Sequence, residues 1–273
     1  MLTIIQQLIL GVIQGIFEWL PISSSAVLTL VMTNFFHITD LSNLLHLELF
    51  LHLGTFFAAL IYFRKDVFKI FKTVTGSSKK FYENEYRKIF KFLLIATLIS
   101  GVLGYAIFRI LEIYQTQFGI TGKIITLFVG ILLFFTGVIQ IKVKNKGLKN
   151  ADHLKTSDSV LLGGVQGISV LPGVSRSGIT VSALLLRNFN DTTALRLSFL
   201  LSLPIVLIAN LFLNYHDLIA IAQGTGSTLI YGLLASFILG LLTIHGLIKL
   251  SQKINFGWFV LIFSILILGS LII

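Results

Sequence analysis

Two polar loops interrupt an otherwise apolar chain and repeat one another: QGIFEWLPISSS at 14–25 and QGISVLPGVSRS at 166–177, with the Gln, Gly, Ile and two Ser positions at a constant offset. Glu18 is the only carboxylate in either loop and Arg176 the only guanidinium. An ionised side chain is costly in apolar surroundings, so this pair points to work that needs charge, most simply recognition of an anionic group. In the second loop, Pro172 and Gly173 stop the preceding helix, and Ser175, Arg176, Ser177 and Thr180 fall where a new helix starts. That end offers unpaired N–H donors and partial positive charge, which with hydroxyls and a forked guanidinium describes a phosphate cradle. The competing reading makes the hydroxyls helix caps and lets Arg176 reach the interface by snorkelling.

In the first loop, Ser23, Ser24 and Ser25 follow Pro21 and either join the cradle or serve as caps and packing residues. A carboxylate at membrane depth usually has a partner, and Glu18 has Arg176, directly or through a divalent cation bridging it to a phosphate. Gln14 and Gln166 occupy matching places and either orient phosphate oxygens or hydrogen-bond across helices. Glu48 lies in an apolar run with His46 and His52. A His–Glu pair at that spacing can bind a metal or shuttle protons, but one helix with so few ligands is a weak metal signature, and an interhelical polar contact is the favoured reading.

The elements that must position these loops are membrane helices. A chain of 273 residues that is 55% hydrophobic and 12% charged, with a mean hydropathy of +0.94, is not an ordinary soluble protein. Cysteine is absent, which removes disulfides, thiolate metal sites and a cysteine nucleophile. No Lys or Arg precedes Arg64, so the charged start of a cleavable signal peptide is missing and the first segment is expected to stay. The net charge of +10 does not point to nucleic acid: nine Lys/Arg fall between Arg64 and Lys91 and five between Lys142 and Lys155. Such clustering is what the positive-inside rule expects of cytoplasmic loops.

Apolar runs near 43–63, 92–111, 122–141, 193–214, 228–248 and 256–273 predict six full spans. The stretches at about 1–36 and 158–190 are broken in the middle by the polar loops and predict re-entrant helix hairpins. Three spans per half turn the second half upside down, so an all-α inverted-topology repeat is expected, with halves at about 1–145 and 155–273 forming one integral domain. The two loop tips then meet near the midplane.

With these features the chain resembles the undecaprenyl-diphosphate phosphatase family associated with bacitracin resistance. The resemblance rests on QGIFEWLPISSS, PGVSRSGIT at 172–180, LHLGTFFAALIYFRKD at 51–66 and RLSFLLSLP at 196–204. It implies a multi-pass plasma-membrane enzyme with an outward-facing site, a divalent cation (Mg²⁺ or Ca²⁺), and essential acidic, Ser and Arg residues that map to Glu18, Ser24 and Arg176. It also implies a polyprenyl diphosphate substrate, with the bilayer as surroundings and a homo-oligomer left open. Two positions depart from the family pattern: Gln14 stands where a second glutamate is usual, and Val27 where a histidine is usual. Glu18 would hold the cation beside the phosphate. Ser24 then lacks an evident activating base, which a water nucleophile with Glu18 as base avoids. The alternative function is a flippase or transporter of polyprenyl phosphates, since inverted repeats with interrupted helices also suit alternating access.

Overall fold

Each interrupted apolar segment folds as a pair of short helices around its polar loop. The computed structural model describes residues 2–75, 80–118, 121–143, 147–223, 227–251, 253–254 and 256–271. Numbered in chain order, α1 (Ile4–Phe17) and α2 (Ser24–Asn34) flank the first loop. The helices α3 (Leu41–Tyr62), α4 (Arg64–Val74), α5 (Lys80–Phe118) and α6 (Gly122–Lys142) complete the first half. The second half repeats the order: α7 (Thr156–Ile168) and α8 (Arg176–Leu186) flank the second loop, followed by α9 (Asp191–Leu213), α10 (Tyr215–Ala222), α11 (Ser227–Ser251) and α12 (Gly257–Gly269). Among the described residues there is no strand beyond one isolated bridge between Lys149 and Phe189. Of the break expected between the halves near 145–157, residues 145 and 146 lie outside the described residues.

Five described helices, in α3, α5, α6, α9 and α11, are long and apolar enough to cross a membrane. Leu98, Val102, Phe135, Phe212 and Leu242 on these helices turn more than half of their surface outward, where lipid rather than water suits them. At the expected sixth span, 256–273, the described helix α12 has 13 residues, about 20 Å of helix against a hydrocarbon core of about 30 Å. Residues 272 and 273 lie outside the described residues.

The short helices are held by glycines. Helix α1 lies along α11, and α7 lies along α5. A Cβ on Gly11 would sit 2.3 Å from the Gly232 carbonyl oxygen, and one on Gly163 would sit 2.9 Å from that of Ala96. Gly15 and Gly167 repeat the close approach one turn later, against Leu239 and Leu103. Matching glycines thus seat matching helices on matching partners, as small residues do where membrane helices pack without a hydrophobic driving force.

The basic segments gather. Arg196 bonds Asp66, Glu85 and Tyr86, Arg187 bonds Asp158 at 2.7 Å, and Lys149 bonds the Arg187 carbonyl oxygen at 2.9 Å. Lys88 bonds the Asp152 carbonyl oxygen. The charge-rich stretches therefore share one end of the bundle.

Gly54 offers a test of the packing. A Cβ there would lie 1.8 Å from Ser236 Oγ and 2.5 Å from the Leu233 carbonyl oxygen, so α3 and α11 must separate to admit it. Gly54→Ala is expected to cost about 1–3 kcal/mol, read as a lower thermal midpoint of the detergent-solubilised protein. An unchanged midpoint would mean that α3 and α11 are not in contact.

Candidate active site

Ser23 and Ser175 start the two inner helices. The Ser23 hydroxyl accepts from the Ala26 N–H and the Ser175 hydroxyl from the Gly178 N–H, so both are N-caps. The first helical residues, Ser24 and Arg176, are thereby placed at equivalent turns of α2 and α8. Gly173 makes the approach possible: its φ is +103°, and a Cβ would meet the Val129 carbonyl oxygen at 2.7 Å. Helix α6 pins both loops, with Gln140 Nε2 donating to the Pro21 carbonyl oxygen at 2.7 Å and Thr136 Oγ1 to that of Gly173 at 3.2 Å. Ser177 Oγ donates to the Leu20 carbonyl oxygen at 3.1 Å and ties the second loop to the first. Trp19 Nε1 anchors the first loop on the Gly240 carbonyl oxygen at 3.0 Å.

All of this converges on the Glu18 carboxylate, whose side chain is 5% exposed. Arg176 Nη2 forms an ion pair with Oε1. The other oxygen, Oε2, accepts from Gln14 Nε2 at 3.0 Å and from Ser24 Oγ at 3.0 Å, and lies 3.2 Å from His52 Nε2. Gln14 Nε2 also reaches Thr55 Oγ1 at 3.2 Å. Two half-helix starts, one carboxylate and one guanidinium from opposite ends of the sequence thus form a buried cluster. Its chemistry is that of an oxyanion site with a base next to a hydroxyl.

The remaining expected residues divide. Ser25 pairs with Ser23 at 3.0 Å, and Thr180 Oγ1 meets the Arg176 carbonyl oxygen at 2.6 Å and Ser198 Oγ at 2.7 Å. Gln166 is not joined to the cluster: its Nε2 donates to Ser100 Oγ at 3.0 Å, the bond across helices that its position also allowed. His46 meets Asn214 at 2.7 Å, and Glu48 accepts the Thr29 hydroxyl, both interhelical contacts as expected.

His52 is the residue that the sequence reading left outside the loop site, and the structure places it there. A signal was present, because Glu48, His52 and Thr55 are spaced as one helical face in an apolar span.

Among the described residues no group of three or more His, Asp or Glu forms a closed metal cage. A Mg²⁺-type ion that arrives with a diphosphate needs less, one or two protein oxygens beside the phosphate oxygens. Glu18 offers one such oxygen, and Gln14 Oε1, buried without a hydrogen-bond partner, would offer another once the amide, whose nitrogen now faces Glu18, is turned over. The donor set fits.

Comparison with known proteins covers nearly the whole chain. The model of the family described as bacitracin resistance protein BacA matches residues 7–270. The undecaprenyl-diphosphatase of Methanococcoides burtonii is 38% identical over 261 residues, covering 95% of this chain and 95% of the relative. Those of Haloarcula marismortui and Alkaliphilus metalliredigens are 34% and 31% identical, covering 93% and 94% of this chain and 92% and 94% of the relatives.

Proposed function

The chain belongs to the bacitracin resistance protein BacA family, and from that premise we propose that it hydrolyses undecaprenyl diphosphate to the monophosphate and phosphate, recycling a lipid carrier for envelope synthesis. The observation that carries this reading is the meeting of Arg176 and Ser24 on one buried carboxylate, Glu18. The apolar tail lies between spans while the diphosphate enters the cluster.

Arg176 holds the nonbridging oxygens and offsets the charge that develops during transfer. Ser24 attacks the terminal phosphorus as its proton passes to Glu18, and the bond from that phosphorus to the bridging oxygen breaks, releasing the lipid monophosphate. Glu18 returns that proton to the departing bridging oxygen; it then takes a proton from the water that attacks the phosphoserine and passes it to Ser24 Oγ as the bond from phosphorus to that oxygen breaks and phosphate leaves. The Ser24 hydroxyl already donates to Glu18 at 3.0 Å, which supplies the base that Val27 does not. A divalent cation, held by Glu18 and Gln14 Oε1, would neutralise phosphate charge when bound.

The matched loops, helices and glycines support two inverted halves, about 1–145 and 155–273, and the gathered basic segments support a plasma-membrane orientation with the site opening to the outer side. In this arrangement Ser25, Ser175, Ser177, Thr180 and Ser23 shape the cradle around the two helix starts.

The test is phosphate release from farnesyl and undecaprenyl diphosphate by the purified protein with Mg²⁺. Equimolar monophosphate and phosphate are expected. Movement of a labelled polyprenyl phosphate across vesicles without phosphate release would instead identify a flippase.

Gln14→Glu gives a smaller, diagnostic effect. A second carboxylate beside Glu18 raises the charge offered to a cation, so half-maximal activity should need roughly tenfold less Mg²⁺. A Mg²⁺ titration unchanged by this variant would remove position 14 from the cation site.

A further inference from the structure

The polar face of α3 has one member that the proposed chemistry leaves without a task. His52 is fixed from one side: the Glu48 carbonyl oxygen can only accept, so Nδ1 donates to it, at 2.7 Å. Metal-binding imidazoles are commonly oriented this way, one nitrogen tied to a carbonyl and the other left free to ligate. The other nitrogen, Nε2, pairs with Glu18 Oε2 at 3.2 Å. The same oxygen has the Gln14 amide and Ser24 Oγ at 3.0 Å each. Around an ion with bonds of about 2.1 Å, neighbouring ligands stand about 3.0 Å apart in an octahedron and about 3.4 Å apart in a tetrahedron. The three groups hydrogen-bond or ion-pair with Glu18 Oε2 as they stand, at distances that neighbouring ligands of such an ion would also have.

Gln14 adds an independent observation. It is fully buried and its Oε1 has no hydrogen-bond partner. Turning the amide over puts that oxygen where the nitrogen now meets Glu18, an exchange of two groups of nearly equal size.

We propose that His52 Nε2, Glu18 Oε2 and Gln14 Oε1, with Ser24 Oγ beside them, hold the divalent cation of this site, and that the nitrogen ligand makes the site favour a first-row transition ion such as Mn²⁺ over Ca²⁺. One imidazole among oxygen donors shifts preference in that direction. Arg176 occupies the opposite carboxylate oxygen, so ion and guanidinium flank Glu18 without competing for one lone pair. The proposal rests on the diphosphate reading only in placing the ion where the phosphates would lie.

Pulsed EPR of Mn²⁺ added to the purified protein tests it, first with the metal alone and then with methylenediphosphonate, which cannot be hydrolysed at its bridge. Nitrogen-14 coupling from a bound imidazole is expected in at least one arm. It should vanish in both His52→Ala and His52→Gln, with Mn²⁺ affinity at least about tenfold weaker and Ca²⁺ binding weaker than Mn²⁺ in the wild type. Absence of nitrogen coupling in both arms of the wild type overturns the proposal, as does coupling that survives both substitutions. Neither arm involves turnover. A protein that shows the His52-dependent coupling yet releases no phosphate from a lipid diphosphate therefore refutes the hydrolysis reading and leaves the ligand assignment standing.

Discussion

Arg176→Ala is expected to lower kcat for phosphate release from a polyprenyl diphosphate by roughly 10³–10⁵-fold, the range seen when a charge-stabilising arginine is removed from phosphoryl transfer. The argument is local. Arg176 is the first residue of α8, the Ser175 cap that starts this helix is untouched, and the side chain is 15% exposed rather than part of the apolar core. Glu18 keeps Gln14, Ser24 and His52 as neighbours when the guanidinium is gone. Losing the guanidinium also leaves Glu18 buried without its opposite charge, so the thermal midpoint should fall as well, and kcat is read on the folded fraction. Arg176→Lys should recover only part of the loss, because an ammonium supplies charge without the planar fork. Steady-state kinetics of the two variants check this, and an alanine variant with near wild-type kcat would remove Arg176 from the chemistry.

The second large effect is at Glu18. Glu18→Gln keeps the size and the hydrogen-bonding capacity but removes the base next to Ser24, so kcat should fall by roughly 10²–10⁴-fold. Glu18→Ala should be worse for the protein as well as the reaction. Removing one partner of a buried ion pair leaves the other charge uncompensated, at a cost of about 3–5 kcal/mol. Measured together, kcat and thermal midpoint should separate the two substitutions: Gln loses rate with a modest midpoint change, and Ala loses both. If Gln retained full rate, neither Ser24 nor water would depend on this carboxylate.

Much of this site was legible in the sequence because its signals are chemical rather than conformational. Pro21, Pro172 and Gly173 with the serines announced where the helices break, and the two isolated charges announced each other. The helix pairs on either side of both loops follow that reading. What failed did so for physical reasons. Composition marked 256–273 as a span, and the helix described there, α12, is shorter than that run, because hydropathy counts apolar residues rather than helical turns. Gln166 shares its place in the repeat with Gln14 yet meets Ser100 instead. Four residues on from Gln14 stands Glu18, whereas four on from Gln166 stands Val170, so the second glutamine has no carboxylate within its own turn. His52 was left out of the loop site because a sequence shows that Glu48, His52 and Thr55 share a face of α3 without showing what that face meets. Only the packing of α1 against α3 brings Gln14 to Thr55 and Glu18 to His52.

The central claim is that a carboxylate from the first half and a guanidinium from the second act as one unit on one diphosphate. Phosphate release by the double variant Glu18→Gln/Arg176→Ala, compared with the wild type and each single variant, tests this most directly. Residues that act as a unit are strongly non-additive. The predicted result is an active wild type and a double variant no slower than the slower single variant within a few-fold. A double variant whose loss equals the product of the two single losses would show two independent sites and contradict the account.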